Sequence, residues 1–327
     1  MSRRSTCLFL RAGALSAITA IILAAGAGRA YAADGDLAWA RSISGTTIDD
    51  GLAIALDDSG NVYTTGNFLG TVDFDPGAGT TTLSSSGWDV FVQKLDTNGN
   101  LAWARKVGGT GTDVGEGIAV DSAGNVYVTG FFSGTVDFDP GVGTLNLTSN
   151  GSDDVFVLKL DTNGNLIWAV SFGGSTSDQG FAIAVDDSGY VYAGGFFHGT
   201  VDFDPGAGTF NLTTGGTNGY VLKLDPSGNF VWAADLGAVT TKALAVDGNG
   251  NVLAGGQSFL KKLNSAGTVV TSYSLGITEA DAVHFDEAGN IYVGGYFSGT
   301  KDFDPGVGTA NLTAPGITDA FLLKLDS

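Results

Sequence analysis

Short apolar segments alternate with clusters of Asp, Gly and Asn along most of this chain. In the clearest stretch, residues 117–121 and 126–130 are apolar runs separated by the turn residues 122–125. After a long polar segment, residues 155–160 alternate apolar and polar side chains, and a second Asp-Gly-Asn turn leads into residues 166–170. Runs of this length between turn residues predict four short antiparallel strands.

This four-strand pattern repeats with a period of about 64 residues. Four tryptophans mark the register: Trp39, Trp103, Trp168 and Trp232. A long polar segment, Gly-Thr-Val-Asp-Phe-Asp-Pro-Gly-x-Gly-Thr, occurs in three copies that begin at Gly70, Gly134 and Gly199. A fourth copy begins at Gly299 and has Lys301 in place of the valine. A fixed long period indicates one supersecondary unit stacked several times.

The units predict an all-β, five-bladed β-propeller built from four-stranded antiparallel blades. The first strands of the five units begin near residues 51, 117, 181, 243 and 282. The last unit ends after its third strand, at residues 320–325, whereas residues 37–41 have the pattern of a fourth strand with no unit of their own. We therefore expect this N-terminal strand to pair with the C-terminal blade and close the ring, which removes exposed sheet edges. An open solenoid is the alternative.

The fourth unit is shorter than the others. Its four strands are present, but about 30 residues that carry the Asp-Phe-Asp-Pro-Gly segment are missing, and Val270 occupies the tryptophan position. We expect a trimmed blade that leaves a notch in one rim.

The first 32 residues have the pattern of an export signal. Arg3, Arg4 and Arg11 are basic, residues 12–27 are mostly apolar, and Ala30-Tyr31-Ala32 fits a cleavage site. The apolar run is shorter than the roughly 20 residues that cross a bilayer, so we expect removal of the signal rather than a retained anchor. This divides the chain into a signal peptide, residues 1–32, and a single propeller domain, residues 33–327, that is secreted, periplasmic or at the cell surface.

The net charge of the chain limits the classes of molecule that it is expected to bind. The formal net charge is −19, and it becomes −23 without the signal, which holds four arginines and no acid. Only Glu116, Glu279 and Glu287 are glutamates, so almost all of the acids are aspartates, which favour turns. Such an acidic surface argues against nucleic acid and anionic membranes, and it favours cations or neutral polar ligands.

The unit resembles a known repeat. Trp-Ala-x(3)-Gly-Gly followed by Ile-Ala-Val-Asp-x-x-Gly-Asn-Val-Tyr-Val-Thr-Gly is similar to the bacterial beta-propeller repeat (SBBP) family, and the resemblance extends from Leu37 to the C-terminus. It implies the propeller fold. Members of that family are mostly exported or surface proteins without an assigned activity, so the resemblance supplies no catalytic residues. The fourth unit departs from the pattern.

Strand alternation predicts two unlike faces. If the first strand is innermost, the Asp-x-x-Gly-Asn turns lie on one side, which we call the tight-turn face. The Asp-Phe-Asp-Pro-Gly segments and the loops that contain Asp49, Asp113 and Asp178 lie on the other, the long-loop face. Binding residues concentrate on loops held by a rigid scaffold, so the long-loop face is the candidate binding face.

The paired aspartates of the long segments are the candidate metal ligands. Calcium binds carboxylate and carbonyl oxygens, and a glycine-rich bend lets such oxygens converge. The candidates are Asp73, Asp75, Asp137, Asp139, Asp202, Asp204, Asp302 and Asp304. The alternative is a turn that needs no metal, because Asp-Pro-Gly is itself a turn former. The turns that begin at Asp96 and Asp161 favour ordinary hairpin chemistry.

Aromatic side chains at repeat positions favour packing between blades, because they bury a large area and their polar tips find partners. The tyrosines of this set are Tyr63, Tyr127, Tyr192 and Tyr292. Stacking on sugar rings is the alternative, and three phenylalanines at the start of the long segment are better candidates for exposure: Phe132, Phe197 and Phe297.

A catalytic centre needs residues that interrupt the repeat. The candidates are His198, His284, Glu116, Glu279, Lys242 and Gln257. Glu116 and Glu279 are the candidate acid and base of a glycosidase on the propeller axis, where such carboxylates stand roughly 5–10 Å apart. His284 belongs to an inner strand and is a candidate to face the channel. A solvated surface role is the alternative for each of these side chains.

These observations favour an exported, monomeric, non-enzymatic binding or scaffold propeller. Its acidic long-loop face is expected to contact a glycan or a surface protein, with calcium as a candidate for ordering the loops and no other cofactor. The alternative is a glycosidase-like, carbohydrate-active enzyme with a single site on the propeller axis. A third hypothesis is a spacer without a ligand.

Overall fold

The computed structural model describes residues 37–327, and within that range the chain is all-β without helices. The predicted signal peptide lies outside the described residues. No helix in residues 37–327 is long and apolar enough to cross a membrane.

The strands follow the predicted units. The first unit contains β1 (Ser44–Gly45), β2 (Asp49–Leu56), β3 (Val62–Phe68), β4 (Thr71–Asp73), β5 (Thr82–Ser84), β6 (Asp89–Leu95) and β7 (Leu101–Val107). The second contains β8 (Val114–Val120), β9 (Val126–Phe132), β10 (Thr135–Asp137), β11 (Asn146–Thr148), β12 (Asp154–Leu160) and β13 (Leu166–Phe172). The third contains β14 (Gln179–Val185), β15 (Val191–Asp202), β16 (Asn211–Leu224) and β17 (Phe230–Gly237).

The last two units differ from the others and from each other. The fourth contains β18 (Thr241–Val246), β19 (Val252–Gly256), β20 (Phe259–Leu263) and β21 (Val269–Tyr273). The fifth contains β22 (Glu279–Phe285), β23 (Ile291–Phe297), β24 (Thr300–Asp302), β25 (Asn311–Thr313) and β26 (Asp319–Leu325). The fourth unit therefore keeps its four strands and lacks the extra hairpin, as its shortened sequence predicts.

The first four units each form a four-stranded antiparallel sheet, in the orders β2-β3-β6-β7, β8-β9-β12-β13, β14-β15-β16-β17 and β18-β19-β20-β21. The fifth sheet has three strands, β22-β23-β26. The Asp-Phe-Asp-Pro-Gly segments form hairpins beside the sheets, β4 with β5, β10 with β11 and β24 with β25, and in the third unit β15 and β16 extend into the same hairpin.

The first strand of each unit is innermost. β2 packs beside β8, β8 beside β14, β14 beside β18 and β18 beside β22. Residues from all five first strands line one central cavity, which we call the channel. This arrangement is the one on which the predicted division into two faces depends.

The core lies between neighbouring sheets, and the repeat aromatics hold it. Tyr63, Tyr127 and Tyr192 are fully buried. Each tryptophan of a fourth strand reaches the next unit: the indole Nε1 of Trp103 donates to Thr162 O at 3.0 Å, and that of Trp168 donates to Pro226 O at 3.1 Å. Packing between units is thus the role of these aromatics. Phe132, Phe197 and Phe297, the candidates for exposure, are also buried.

The predicted closing strand is not assigned to a sheet. Residues 37–41 form no ladder with β26, and they are held instead by side-chain bonds to the first unit, where Trp39 Nε1 donates to Thr97 O at 3.1 Å and Arg41 Nε to Gly99 O at 2.9 Å. Trp103 and Arg105 make the same two bonds to the second unit. The segment therefore lies where a fourth strand of the preceding unit would lie, but no backbone ladder joins it to β26.

Candidate binding face and channel mouth

The Asp-Phe-Asp-Pro-Gly loop is tied by its own carboxylates. In the second unit, Asp137 Oδ1 accepts backbone N–H groups from Asp139 at 3.0 Å and Leu145 at 2.8 Å. Asp139 Oδ1 accepts the N–H of Gly141 at 2.7 Å. The phenylalanine between them, Phe138, is buried, with its ring centroid 5.2 Å from that of Phe132. The same carboxylate bonds occur in the other three copies, at Asp73 and Asp75, Asp202 and Asp204, and Asp302 and Asp304.

Steric contact explains why the second glycine of this loop, Gly143, has no side chain. A Cβ on Gly143 would lie 2.0 Å from Asp139 Oδ2, so a side chain there would displace the carboxylate. These hydrogen bonds and this close contact are enough to explain the Asp-Phe-Asp-Pro-Gly motif as a turn. Within residues 37–327, no group of three or more His, Cys, Asp or Glu side chains is close enough together to hold a metal ion. Calcium binding by the eight aspartates stays a prediction.

In the turns of the tight-turn face, both carboxylate oxygens of the aspartate accept hydrogen bonds. Asp121 Oδ1 accepts the N–H groups of Ala123 and Asn125, both at 2.9 Å. Its Oδ2 accepts Asn125 Nδ2 at 2.8 Å and the Tyr127 hydroxyl at 2.9 Å. Asp96 and Asp161 make the matching bonds to the backbone and to the turn asparagine. These carboxylates therefore stabilise the hairpin turns by hydrogen bonding, as the sequence predicts.

A β-bulge near the start of each inner strand leaves one residue out of the ladder. These residues are Leu52, Glu116, Phe181, Lys242 and Asp281. A bulge bends its strand and re-aims a side chain, and it is common beside functional sites. The glycine opposite makes room for it, since a Cβ on Gly130 would lie 1.8 Å from Val114 O. The repeated Thr-Gly or Gly-Gly at the end of the second-strand motif thus supports the bulge.

The five bulge residues all line the channel, which has a volume of about 180 Å³. We call this set the channel mouth, because the bulges lie near the strand ends that face the long loops. Two residues further along, aliphatic side chains form a second ring: Ile54, Ile118, Ile183, Leu244 and Val283. The aliphatic ring is nearly uniform, whereas the channel mouth has a different chemistry in each unit, namely aliphatic, acidic, aromatic, basic and acidic. It is the part of the channel where five similar units produce one asymmetric site.

A buried acid neutralises the single basic residue of the channel mouth. Glu279 is only 6 % exposed and forms an ion pair with Lys242 Nζ. Its Oε2 accepts the hydroxyl of Tyr296 at 2.6 Å. The hydrogen bond to Glu279 and burial together raise the pKa of Tyr296 to about 12, so this phenol stays protonated as a donor. The three side chains form one network across the fourth and fifth units.

The residues that interrupt the repeat separate into two groups. Glu116 and Lys242 line the channel, and Glu279 lies beside it through its pair with Lys242. His284, the candidate to face the channel, is not among the lining residues. His198 lies on β15, where its Nδ1 contacts Ser177 O at 2.9 Å and its Nε2 contacts Thr217 Oγ1 at 2.6 Å. Gln257 bridges to Glu279 through the backbone.

Sequence reasoning missed three of the five residues at the channel mouth, namely Leu52, Phe181 and Asp281. The signal was present as a position of the inner strand whose chemical class differs between units. A search for acids and histidines overlooks it, because the position is informative through its variation and not through any single residue type.

Buried carboxylates occupy the seams between units on the long-loop face. Asp113 Oδ2 accepts the N–H of Gly109 at 2.8 Å, and Asp154 Oδ2 accepts that of Asn150 at 2.9 Å. Burial raises the pKa of each to about 6. Asp178 lies at the same seam as Asp154, and its charge raises the pKa of Asp154 further. None of these three acids lines the channel.

Comparisons with known proteins agree with the repeat. The chain is 26% identical over 185 residues to an uncharacterized WD repeat-containing protein of Acanthamoeba polyphaga mimivirus, covering 48% of this chain and 13% of that protein. It is 32% identical over 162 residues to the regulatory protein FlaEY of Caulobacter vibrioides, covering 50% of this chain and 14% of that protein. The matched region thus spans about a seventh of the length of either relative.

Among solved structures, a protein of unknown function from Bacteroides caccae is similar, with a TM-score of 0.45 and 12% identity. The similarity covers 75% of this chain and 70% of that one. The family model for the SBBP beta-propeller repeat matches residues 102–130, from the fourth strand of the first unit to the second strand of the second. This match confirms the resemblance to the SBBP beta-propeller repeat, on which the fold prediction rests, for the stretch of chain that it covers.

Proposed function

We propose that this protein is an exported, monomeric, non-enzymatic binding propeller whose long-loop face contacts a glycan or another surface protein. The observation that carries the proposal is the shared placement of four Asp-Phe-Asp-Pro-Gly loops on the face where the channel mouth opens. Their tips hold apolar side chains in water: Val142 and Val307 are fully exposed. Loops that a rigid scaffold positions together are where binding residues concentrate.

We further propose five blades closed into a ring by residues 37–41. The positions of Trp39 and Arg41 support this closure, because both make the bonds that a fourth strand makes to the following unit. The unpaired edge of β26 supports it as well, since sheet edges in water invite pairing.

Surface variants test the proposed binding face. Val142→Ser and Val307→Ser change exposed loop tips and are expected to leave the melting temperature unchanged. Val270→Ser is the matched control, because Val270 is 54% exposed on β21, at an outer sheet edge. The mature chain, residues 33–327, is applied to a glycan array and to surface extracts of its source. We expect the loop variants to lose retained ligands and the control to keep them; equal retention by all three proteins contradicts the proposal.

Calcium ordering of the loops is a separate part of the proposal. A metal that binds only the folded state at a hundredfold excess over its dissociation constant stabilises it by about 2.7 kcal/mol. We expect the melting temperature of the mature chain to rise by a few degrees when EDTA is replaced by millimolar calcium. The rise should vanish in the double variant Asp137→Asn and Asp139→Asn if that loop binds the ion. An unchanged melting temperature leaves the loops as metal-free turns.

The glycosidase alternative has less support from the geometry. Glu116 lines the channel, but Glu279 is occupied by Lys242 and Tyr296 and is not a lining residue. The two glutamates that the sequence suggests as acid and base therefore do not face the cavity together.

A further inference from the structure

Three hairpins of the long-loop face carry the same exposed triplet. Asn-Leu-Thr lies at residues 146–148 on β11, 211–213 on β16 and 311–313 on β25. Asparagine is disfavoured in strands, yet Asn146, Asn211 and Asn311 occupy the same strand position in three units, and each is exposed. The pattern Asn-x-Ser/Thr is the acceptor triplet for N-linked glycosylation of exported proteins. The three asparagines are therefore candidate modification sites.

The hydroxyl residue of the triplet has a structural role in the hairpin, and the asparagine has none. Thr148 Oγ1 lies 2.8 Å from Thr135 Oγ1 across the two strands. The hairpin of the first unit has the same contact, 3.0 Å between Ser84 Oγ and Thr71 Oγ1. That unit has Thr82 at the position of the asparagine. The hairpin therefore forms without an asparagine, and the cross-strand pair of hydroxyl groups does not explain why three units have one.

The side-chain amides of these three asparagines differ from those in the turns. Within residues 37–327, no hydrogen bond holds the side chain of Asn146, Asn211 or Asn311. On the tight-turn face, by contrast, the asparagine donates to the aspartate of its turn, as Asn125 Nδ2 does to Asp121 Oδ2 at 2.8 Å. The amides of the triplets can thus form a new covalent bond without breaking a hydrogen bond of the fold.

A fourth triplet has a different environment. Asn150-Gly151-Ser152 also matches the acceptor pattern. Its amide is occupied, because Asn150 Nδ2 donates to Asp154 Oδ2 and to Gly173 O, both at 3.3 Å. A sugar on this nitrogen would leave one N–H for two acceptors, one of which is a buried carboxylate at the seam between units. The geometry therefore separates three acceptor asparagines from one that holds the fold.

We propose that Asn146, Asn211 and Asn311 are N-glycosylated and that Asn150 is not. The donor is an oligosaccharide joined to a lipid through a diphosphate. The asparagine Nδ2 bonds to the anomeric carbon, the bond from that carbon to the diphosphate oxygen breaks, the lipid diphosphate leaves with the electron pair, and the amide loses one proton. The glycans would lie beside the unpaired edges of β11 and β25 and would hinder pairing of those edges with another chain. The inference rests on the proposed function only in requiring export.

Peptide mass spectrometry of the protein purified from its source tests this pattern. We expect a glycan on Asn146, Asn211 and Asn311 and an unmodified Asn150. A peptide N-glycosidase used in heavy-oxygen water converts each glycosylated asparagine to a labelled aspartate, which distinguishes these glycans from sugars on the neighbouring threonines. Unmodified asparagine at all three positions overturns the proposal. Equal modification of Asn150 overturns the distinction that is drawn from its hydrogen bonds.

Variants produced in the same source assign each site by intact mass. Asn146→Gln and Thr148→Val should each remove one glycan, and the second does so while the asparagine is still present. Thr82→Asn completes a triplet with Ser84 in the first unit and should add one glycan. Asn98→Gln is the matched control, because Asn98 is exposed in a turn and belongs to no triplet, and it should keep every glycan. A Thr148→Val variant that keeps its glycan contradicts the assignment.

N-terminal sequencing of the same protein separates failure of this inference from failure of the proposed function. An unmodified chain that begins at Ala33 overturns the inference alone. An unmodified chain that is recovered from the cytoplasm with residues 1–32 attached overturns the proposed export as well. Ligand retention by the Val142 and Val307 variants is measured separately, so a glycosylated protein whose loop variants still retain every ligand contradicts only the proposed binding face.

Discussion

At the scale of the residue, aspartate has two opposite roles in this protein. Asp121 and its equivalents accept hydrogen bonds from backbone and side-chain donors of the turn at both carboxylate oxygens. Asp154 is fully buried between units, and its Oδ1 has no hydrogen-bond partner within the described residues. Aspartate is thus a hydrogen-bond acceptor in the turns and a carboxylate buried away from water at the seams. Substitution by asparagine should have opposite effects on stability at the two kinds of position.

Asp154→Asn is expected to stabilise the protein at pH 7. The pKa of Asp154 in the folded chain is about 6, above the roughly 3.9 of an unfolded aspartate, so folding favours the protonated form. The contribution of this group to the free energy of unfolding is therefore greatest below about pH 4 and falls as the pH rises to about 6. We expect a gain of roughly 1–3 kcal/mol at pH 7 that vanishes near pH 4, measured by thermal unfolding across this range. A less stable variant at pH 7 would show that the charge is favourable.

Asp121→Asn should have the opposite effect. An asparagine at this position directs its amide donors toward groups that are themselves donors, the Asn125 side chain and the Tyr127 hydroxyl. We expect a loss of roughly 1–3 kcal/mol in the free energy of unfolding, measured by denaturant titration. Asp58→Asn is the control, since that aspartate is exposed in an equivalent turn. Equal effects of the two substitutions would contradict the assigned hydrogen bonds.

At the scale of the element, most of the strands could be predicted and the bulges could not. The apolar runs and the Asp-Gly-Asn turns predict the four strands of each sheet, because their period and turn chemistry are local. The bulge at Glu116 depends on the glycine across the ladder, Gly130, and on a register that is set only when the two strands pair. The side chains of the channel mouth were therefore incompletely predicted, although every strand that carries them was.

Gly130→Ala tests the link between this glycine and the bulge. The added methyl group would lie 1.8 Å from Val114 O, so the ladder or the bulge must move. We expect a loss of roughly 1–3 kcal/mol in unfolding free energy, as for other overpacked sites, measured by denaturant titration. Gly248→Ala is the control, because no atom lies within 4 Å of the added carbon. A Gly130→Ala variant as stable as the unsubstituted protein would mean that the bulge does not need the glycine.

At the scale of the whole molecule, the repeat determines how neighbouring units stack, but it does not determine how the first and last units join. Each interior unit is packed on both sides, and its third strand is buried. In the fifth sheet the third strand, β26, is an edge, and the sequence that would cover it lies about 280 residues earlier in the chain. Local pattern cannot fix such a long-range pairing, which explains why closure was predicted by counting strands but is not formed as a ladder.

Leu322 on β26 reports on closure in solution. Its equivalents Val92, Val157, Val221 and Leu260 are at most 1% exposed, whereas Leu322 is 69% exposed. If residues 37–41 pair with β26, Leu322 becomes a core residue, and Leu322→Ala should cost about 2–3 kcal/mol in the free energy of unfolding. If the edge stays open, the cost should be within about 0.5 kcal/mol. We expect the larger value, and we expect it to fall to the smaller one in a chain that begins at residue 44. A small cost in both chains would contradict closure by the N-terminal strand and leave the ring held only by the contacts of Trp39 and Arg41.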